Sequence, residues 1–164
     1  MQLTKKQVKA FLEVISSDTS RPVICTAKVD TYEGRTVLIA TDGYQLAALD
    51  APGLKGHEGK LIDRTELIKW YKLAGTKDRL DEKALIEMPN ARDDDKWYGE
   101  YPEWVKIIEA QHPGEITKIA LNATYMLTMQ QLADKTLVYT ANGQRGAVTA
   151  REDNNLYVIM PLKV

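Results

Sequence analysis

Apolar residues recur with helical spacing at three places, each time directly after a residue suited to begin a helix. The candidate N-cap residues are Thr4, Asp63 and Asn122, whose side-chain oxygens can accept hydrogen bonds from N–H groups of the first turn. They are evenly spaced, from 4 to 63 and from 63 to 122. Apolar residues follow each cap at the same offsets, namely Val8, Phe11 and Ile15; Leu67, Trp70 and Ala74; and Met126, Met129 and Ala133. The pattern predicts three amphipathic helices and an internal repeat.

Alternating apolar segments follow each predicted helix and predict strands. They lie at residues 23–29, 37–40 and 45–49, then at 83–88 and 96–101, and finally at 136–140, 147–151 and 156–162. A short strand is also predicted before each helix, at residues 1–3, 60–62 and 117–121. We therefore expect an α+β fold of three βαβββ units, at about 1–56, 57–110 and 111–164, separated by loops that contain Gly and Pro.

The overall composition argues against several classes of protein, including secreted and membrane-spanning ones. The 164 residues include 22 Lys and Arg against 23 Asp and Glu, so net charge gives no sign of nucleic-acid binding but leaves room for a basic face. The single cysteine, Cys25, excludes an internal disulfide and fits a reducing compartment. The chain lacks the apolar run of a signal peptide or of a membrane span, which needs about 20 residues. We expect a cytoplasmic protein that does not bind membranes.

The titratable residues form no pattern typical of catalysis. The two histidines, His57 and His112, lie in loops rich in Gly and Pro, without Cys or carboxylate residues at the spacing of metal ligands. Residues 93–95 are three aspartates, which we interpret as a solvated hairpin tip because adjacent carboxylates of one extended segment do not converge on one ion. We therefore expect that the protein is not an enzyme and that it binds neither a metal ion nor a cofactor.

Three segments read like parts of one signature. They are ATDGYQLA at residues 40–47, YPEWVKI at 101–107 and YVIMPLKV at 157–164. They resemble, in the same order, the segments ATDGHRLA, FPDYRRV and YVVMPMRL of the bacterial sliding clamp, the beta subunit of DNA polymerase III. Each match alone is weak, but together with the repeat they cover nearly the whole chain.

The resemblance implies the DNA-clamp fold, in which helices line a pore and antiparallel sheets lie outside. Such clamps are processivity factors that encircle duplex DNA and tether the polymerase. Family chains carry three domains of two units each, and two chains close a ring of roughly twelve units. Residues 1–110 would then form one domain of two units, and 111–164 half of another. Four copies of this chain would supply as many units, so we expect a homotetramer.

The resemblance also implies a groove between domains that takes short peptides from the DNA polymerase and the clamp loader. The groove residues carried over by motif are Thr41, Gly43, Tyr44, Gln45, Leu46, Pro102, Lys106, Ile107, Val158, Met160, Pro161, Leu162 and Val164. A Leu or Phe of the peptide is expected in the apolar part, and a Gln at the polar edge. Tyr44 and Gln45 stand where the family has His and Arg, which puts the polar part of recognition in question.

Basic residues cluster off the apolar faces of the first two predicted helices. They are Lys5, Lys6, Lys9, Arg64, Lys69 and Lys72, and we expect them to face double-stranded DNA and to attract its backbone without reading sequence. Two other interpretations stay open. The chain could be a clamp-like binding module or decoy that never closes a ring, or an unrelated α+β enzyme.

Overall fold

The computed structural model describes residues 1–93, 99–109, 119–141 and 146–162. The helices are α1 (Lys5–Val14), α2 (Arg64–Leu73), α3 (Glu82–Glu87), α4 (Trp104–Glu109) and α5 (Ala123–Leu132). The strands are β1 (Gln2–Thr4), β2 (Thr26–Tyr32), β3 (Arg35–Thr41), β4 (Gln45–Asp50), β5 (Leu61–Asp63), β6 (Arg79–Asp81), β7 (Thr140–Ala141), β8 (Val148–Glu152) and β9 (Asn155–Ile159). The expected α+β class is confirmed.

The three helices of the repeat are α1, α2 and α5, and each begins at its predicted cap. The Thr4 hydroxyl accepts from the Gln7 N–H at 3.1 Å, and the Gln7 side chain accepts from the Thr4 N–H at 3.0 Å. This reciprocal pair satisfies two N–H groups that the helix leaves open. At Asp63 and Asn122 the side-chain oxygen accepts from the N–H two residues on, at 2.8 and 2.9 Å.

Seven strands form one sheet in the order β5-β2-β3-β4-β9-β8-β7, and every neighbouring pair is antiparallel. The strands predicted after the first helix are confirmed as β2, β3 and β4. The last two strands of the third unit are confirmed as β8 and β9. Because β4 pairs with β9, the third unit continues the sheet of the first.

The first two units exchange their opening strands. Strand β5, which precedes α2, pairs with β2, whereas β1, which precedes α1, pairs with β6 in a separate sheet of two strands. This reciprocal pairing links the first two units, as the pairing of β4 with β9 links the first and the third. The division into 1–110 and 111–164 stays a prediction.

The strand predicted at residues 83–88 is wrong, because these residues form helix α3. Asp81 caps the helix by accepting from the Ala84 N–H at 2.9 Å. The Lys60 ammonium group donates to three carbonyl oxygens at the other end of the helix, those of Leu85, Ile86 and Met88, at 2.6 to 3.0 Å. These capping contacts favour a helix in a segment whose apolar residues also fit helical spacing.

Three other predicted strands are formed only in part or lie partly outside the described residues. Of the segment at 96–101, residues 96–98 lie outside the described residues, and 99–101 form no strand. Of 117–121, residues 117 and 118 lie outside them, and Ala120 makes an isolated bridge with Leu162. Of 136–140, only Thr140 belongs to a strand, β7.

The sheet has an apolar core on each face. The helix side packs against α1, α2 and α5, and its buried residues include Phe11, Val14, Leu38, Leu49, Leu67, Met129, Leu132 and Tyr157. The outer side packs against α4 and the segment before it, and its buried residues include Tyr32, Val37, Ile39, Leu46, Tyr101, Trp104, Leu156 and Val158. Both cores run across the pairing of β4 with β9.

We predict that Glu152→Ala lowers the free energy of unfolding by about 1–3 kcal/mol. The buried Glu152 carboxylate accepts from the backbone N–H groups of Asp134 and Lys135 and from the Tyr157 hydroxyl, and its removal leaves these donors unpaired. Urea denaturation measures the loss. The matched control is Asp153→Asn, which removes only an exposed ion pair with Lys135 and should change stability by no more than about 0.5 kcal/mol. Equal effects would contradict the prediction.

Candidate functional site

The turn between β3 and β4 is fixed by two of its own side chains. The Thr41 hydroxyl donates to the Gln45 carbonyl at 2.7 Å and accepts from the Gly43 N–H at 3.0 Å. The Asp42 carboxylate accepts from the N–H groups of Tyr44 and Gln45 at 2.8 and 2.9 Å. Gly43 has φ of 95°, in the left-handed region that glycine adopts most easily. The turn therefore presents Tyr44 to solvent, with 63% of the residue exposed.

Gln45 lies inside the protein, only 3% exposed. Its Nε2 donates to the Glu13 carbonyl at 2.9 Å and to the Asp42 carboxylate at 3.0 Å, so it ties the turn to the end of α1. Its Oε1 is buried and has no hydrogen-bond partner among the described residues. The structure thus places Gln45, which was predicted for the groove, in the interior behind the turn. Its hydrogen bonds hold the turn that carries Tyr44.

The C-terminal strand runs beside the turn. Leu46 and Val158 are directly opposite in the pairing of β4 with β9, and both are buried on the outer side of the sheet. Beyond β9, the Met160 N–H donates to the Tyr44 carbonyl at 2.8 Å. The first and third motifs, more than a hundred positions apart, are therefore hydrogen-bonded to each other.

Beyond Met160 the chain continues toward the start of α5. The Leu162 N–H donates to the Ala120 carbonyl at 2.8 Å, just before α5 begins. Pro161 is half-buried and Leu162 is exposed. Val164, also predicted for the groove, lies outside the described residues.

The second motif lies on the outer side of the sheet. The Trp104 indole N–H donates to the Asp30 carboxylate at 3.0 Å, and its ring lies 5.0 Å from that of Tyr32, centroid to centroid. The Tyr101 hydroxyl donates to the Ile39 carbonyl at 3.4 Å. Tyr101 and Trp104 share the apolar cluster of Leu46 and Val158. These contacts place α4 and the segment before it over β2 and β3, in the same apolar cluster as Leu46 and Val158.

Asp30 supports this placement through its charge. Burial alone would raise the pKa of its carboxyl, but hydrogen bonds from the Trp104 indole and the Lys28 ammonium group outweigh burial and hold the pKa below its usual value. The ionised Asp30 is therefore a constant acceptor for Trp104 near neutral pH.

The remaining predicted residues of the second motif differ in exposure. Pro102 is half-buried, and Lys106 is exposed and forms an ion pair with Glu103 at 2.5 Å. Ile107 lies within α4, and its side chain is outside the described set. The structure thus joins the first and third motifs at the turn and places the second motif on the outer side of the same sheet, while the role of all three as a groove stays a prediction.

A cavity of about 340 Å³ on the helix side of the turn contains residues that the sequence did not indicate. Besides Asp42 and Tyr44, its walls include Arg21, Arg64 and Tyr125. Burial, followed by the nearby negative charge of Asp42, raises the pKa of Tyr125. This wall is polar and aromatic, which complements the apolar cluster on the outer side.

Tyr125 escaped prediction because the apolar face of α5 was placed incorrectly. The offsets from the cap predicted Met126 and Met129 as core residues, but the structure buries Thr128, Met129 and Leu132 and leaves Met126 36% exposed. The short hydroxyl side chain of Thr128 allows close packing that hydrophobicity does not indicate. A search for aromatic residues one turn before Met129 could have found Tyr125.

The predicted DNA-facing residues fall into two groups. Lys6 and Lys9 of α1 and Lys69 and Lys72 of α2 are exposed, and Lys69 forms an ion pair with Glu66 at 2.5 Å. The other two contact the protein. Lys5 donates to the Ala74 carbonyl at 2.5 Å, and Arg64 donates to the Leu12 carbonyl at 3.3 Å and lines the cavity. Their role toward DNA stays a prediction.

Two searches for other kinds of site concern only the described part of the chain. Within residues 1–93, 99–109, 119–141 and 146–162, no cluster of His, Cys, Asp and Glu is arranged to hold a metal ion. In the same residues, no helix has the length and apolar character needed to cross a membrane.

Solved structures of bacterial sliding clamps are similar to this chain over nearly its whole length. The clamp of Bartonella birtlesii, solved with bound griselimycin, is 15% identical, with a TM-score of 0.59 over 99% of this chain and 66% of the clamp. The beta subunit of Borrelia burgdorferi, in complex with a natural product, is 11% identical, with a TM-score of 0.61 over 100% and 64%. For the clamp of Bacillus subtilis the identity is 12%, with a TM-score of 0.60 over 100% and 64%.

These similarities establish the fold of the chain. No protein-family model and no curated protein sequence matches it. The alignments span slightly less than two thirds of each of these three clamps. At such low identity the shared property is the sliding-clamp fold, and the residues of the site must carry any further argument.

We predict that Gln45→Ala destabilises the protein and that Tyr44→Ala does not. Gln45→Ala removes the bonds from the turn to α1 and should lower the free energy of unfolding by about 1–2 kcal/mol. Tyr44→Ala truncates an exposed side chain and should change it by no more than about 0.5 kcal/mol. Urea denaturation of both variants checks this. A loss for Gln45→Ala no larger than that for Tyr44→Ala would contradict the support of the turn by Gln45.

Proposed function

We propose that this chain, which has the fold of bacterial sliding clamps, is a non-enzymatic processivity factor that tethers replication proteins to duplex DNA. It would bind short peptides of a DNA polymerase and a clamp loader around the turn between β3 and β4. The observation that carries the proposal is the hydrogen bond from Met160 to Tyr44, together with the pairing of Leu46 and Val158. These contacts unite motifs that have no reason to meet in an unrelated fold.

The surroundings of the turn suit a peptide with one apolar and one polar anchor. Leu46 and Val158 form an apolar floor, and Met160, Pro161 and Leu162 stand beside it with more exposure. Methionine adapts its shape to different apolar side chains. A Leu or Phe of the peptide would pack here. Its Gln would meet the polar wall on the other side of Tyr44, where the cavity with Arg21 and Tyr125 lies.

The described parts of the proposed groove all come from one chain. The turn comes from the first unit, α4 follows the second, and the tail and Tyr125 come from the third. Peptide binding therefore requires no second copy, and it can be tested separately from assembly.

Contact with DNA would come from the exposed lysines of α1 and α2. Lys6 and Lys9 lie on one face of α1, three positions apart, and Lys69 and Lys72 have the same spacing on α2. Because Lys5 and Arg64 bond to backbone carbonyls and Lys69 pairs with Glu66, Lys6, Lys9 and Lys72 are the stronger candidates. Attraction between lysines and phosphates is independent of sequence, as sliding requires.

We further propose that four copies close a ring as a homotetramer. Each chain has three helices of the repeat, α1, α2 and α5, so four copies supply roughly the twelve units of a family ring. Closure would turn these helices toward a common pore, with the sheets outside.

A second candidate function is a clamp-like binding module that never encircles DNA. One observation favours it. The edge strand β5 is partly blocked, since the Leu61 N–H donates to the Asn90 side chain at 3.1 Å. Pairing of this edge with a strand of another copy would be harder. The third possibility, an unrelated α+β enzyme, is disfavoured by the likeness to clamps over the whole chain.

We predict that a labelled peptide with Gln, Leu and Phe binds the chain and that Tyr44→Ala and Leu162→Ser each weaken binding at least about tenfold. Both residues are exposed at the groove, and removing one anchor of a peptide commonly costs this much. Fluorescence anisotropy gives the dissociation constants. The control variant is Lys55→Ala, on an exposed loop after β4, which should bind like the wild type.

A peptide with the same residues in scrambled order is the control for composition. Equal affinity of wild type and both groove variants would refute the groove. Binding of neither peptide by the wild type would show that Tyr44 and Gln45 have changed the partner, or that the site has none.

We predict that Lys6→Ala combined with Lys9→Ala weakens association with duplex DNA and makes it less sensitive to salt. The slope of the logarithm of affinity against that of salt should fall by about two, because two phosphate contacts are lost. Electrophoretic mobility at several salt concentrations measures this. The control, Lys55→Ala with Lys106→Ala, removes the same charge outside α1 and α2 and should keep the slope. Equal slopes for both pairs would contradict a DNA-facing role of α1.

A further inference from the structure

Helices α1 and α2 lie side by side and run in opposite directions. At the start of α1, the Lys5 ammonium group donates to the carbonyl of Ala74, directly after α2, and lies 5.1 Å from the centre of the Tyr71 ring. At the other end of the pair, Arg64, the first residue of α2, donates to the Leu12 carbonyl at 3.3 Å. The start of α1 therefore lies beside the end of α2.

The loop after α2 reaches the same place through strand pairing. Arg79, the first residue of β6, is opposite Thr4 in the pairing with β1, and Thr4 is the cap of α1. Residues 75–79 therefore lie close to the start of α1. Exposed cationic side chains from three segments meet here. We name this surface the basic corner, and it comprises Lys6 of α1, Lys72 of α2, Lys77 of the loop and Arg79 of β6.

The two carboxylates in the same loop and strand are already bonded. Asp78 accepts from the Gly75 N–H at 2.6 Å, and Asp81 accepts from the Ala84 N–H at 2.9 Å. The Arg79 guanidinium donates to two carbonyls of its own loop at 3.0 and 3.1 Å. Within the described part of the chain, no side chain of the basic corner forms an ion pair. Their positive charges are therefore available to an anionic partner.

The other end of α1 has a different charge and adjoins the candidate groove, because the Glu13 carbonyl there accepts from Gln45. The walls of the cavity at that end include three carboxylates and two guanidinium groups, those of Glu13, Asp18, Asp42, Arg21 and Arg64. Helix α1 has 10 residues, so its ends are about 15 Å apart. Salt screens exposed charges over about 8 Å near physiological ionic strength. The basic corner and the groove are thus electrostatically separate.

We propose that the basic corner binds the phosphate backbone of duplex DNA, and that Lys77 and Arg79 extend this contact beyond α1 and α2. Attraction to phosphates requires exposed cationic groups and is independent of base sequence. The planar guanidinium of Arg79 can also donate to two oxygens of one phosphate. Leu73 is exposed beside these residues, but the core of an interface with another protein needs several apolar or aromatic residues.

This inference rests on the proposed function, because duplex DNA is the partner in both, and it adds contact residues that follow α2. It also has a consequence for tethering. Because the basic corner and the groove lie at opposite ends of α1, one chain can hold DNA and a partner peptide at the same time.

The first experiment measures the affinity for a fluorescent DNA duplex by anisotropy at several salt concentrations. Lys77→Gln combined with Arg79→Gln should lower the slope of the logarithm of affinity against that of salt by about two, because two phosphate contacts are lost. Lys77→Gln alone changes only the exposed loop and should lower the slope by about one. Lys77→Arg combined with Arg79→Lys keeps both charges and should keep the slope.

The control for net charge is again Lys55→Ala with Lys106→Ala, which should leave the slope unchanged. An unchanged slope in both Gln variants, or an equal fall in the control, would overturn the inference. If Lys6→Ala with Lys9→Ala lowers the slope and the Gln variants do not, the proposed contact of α1 with DNA stands without the basic corner. A wild type with no affinity for duplex DNA would overturn both.

Peptide titration tests the separation of the two ends of α1. The Lys77→Gln variant should bind the labelled peptide with the affinity of the wild type, in the presence and in the absence of the duplex. A loss of peptide affinity in this variant, or displacement of the peptide by the duplex, would overturn the separation.

The second experiment distinguishes DNA from an acidic protein. Lys77→Cys and Lys106→Cys are each made in a Cys25→Ser background, and the single thiol carries a photoreactive group. Lys106 is the control, because α4 lies on the other side of the sheet. Illumination should link Lys77→Cys to the duplex and leave Lys106→Cys largely unlinked, and polyglutamate of the same total charge should compete poorly. Equal linking of both variants, or full displacement of the duplex by polyglutamate, would overturn the inference.

Discussion

The antiparallel pairing of β4 with β9 is the constraint on which the rest of the structure depends. Four residue pairs join strands more than a hundred positions apart, and the cores on both faces of the sheet run across them. A shift of β9 by one residue against β4 would move Val158 to the helix side and Tyr157 to the outer side, while β3 keeps Leu46 in place. Such a shift would destroy both cores, so packing fixes the register. The same register places Met160 beside Tyr44, so the fold and the candidate groove have one cause.

Buried amides secure this junction at both ends of α1. Near its start, Gln7 donates to the Leu132 carbonyl and the Asp134 carboxylate, at 2.9 and 3.0 Å, and so connects the first unit with the third. Near its end, the Glu13 carbonyl accepts from Gln45 and connects the helix with the turn. Buried polar groups specify a unique arrangement because every alternative leaves them unpaired. Helix α1 is thus held in the position where its lysines face outward.

The sequence predicted the structure correctly where hydrogen bonds between neighbouring residues determine it. The caps Thr4, Asp63 and Asn122 bond only to the next turn, and the helices they begin were predicted correctly. Residues 83–88 were assigned the wrong structure because their apolar spacing suits both a strand and a helix. Asp81 caps the start of α3, and Lys60, more than twenty positions earlier, satisfies the carbonyls at its end. Such a long-range contact leaves no trace in the pattern of one segment.

The candidate site was likewise predicted in part, because some of its contacts are long-range. The first and third motifs indicated where the chain converges, but no motif indicated which side each residue faces. Gln45 alternates with Leu46 along β4, so one of them must turn toward α1 when the other faces the outer core. Arg21 and Tyr125 reach the turn from segments with no motif of their own. Met126 has the same offset from its cap as the buried Val8 and Leu67, yet 36% of it is exposed, because α5 turns Thr128, Met129 and Leu132 toward the core.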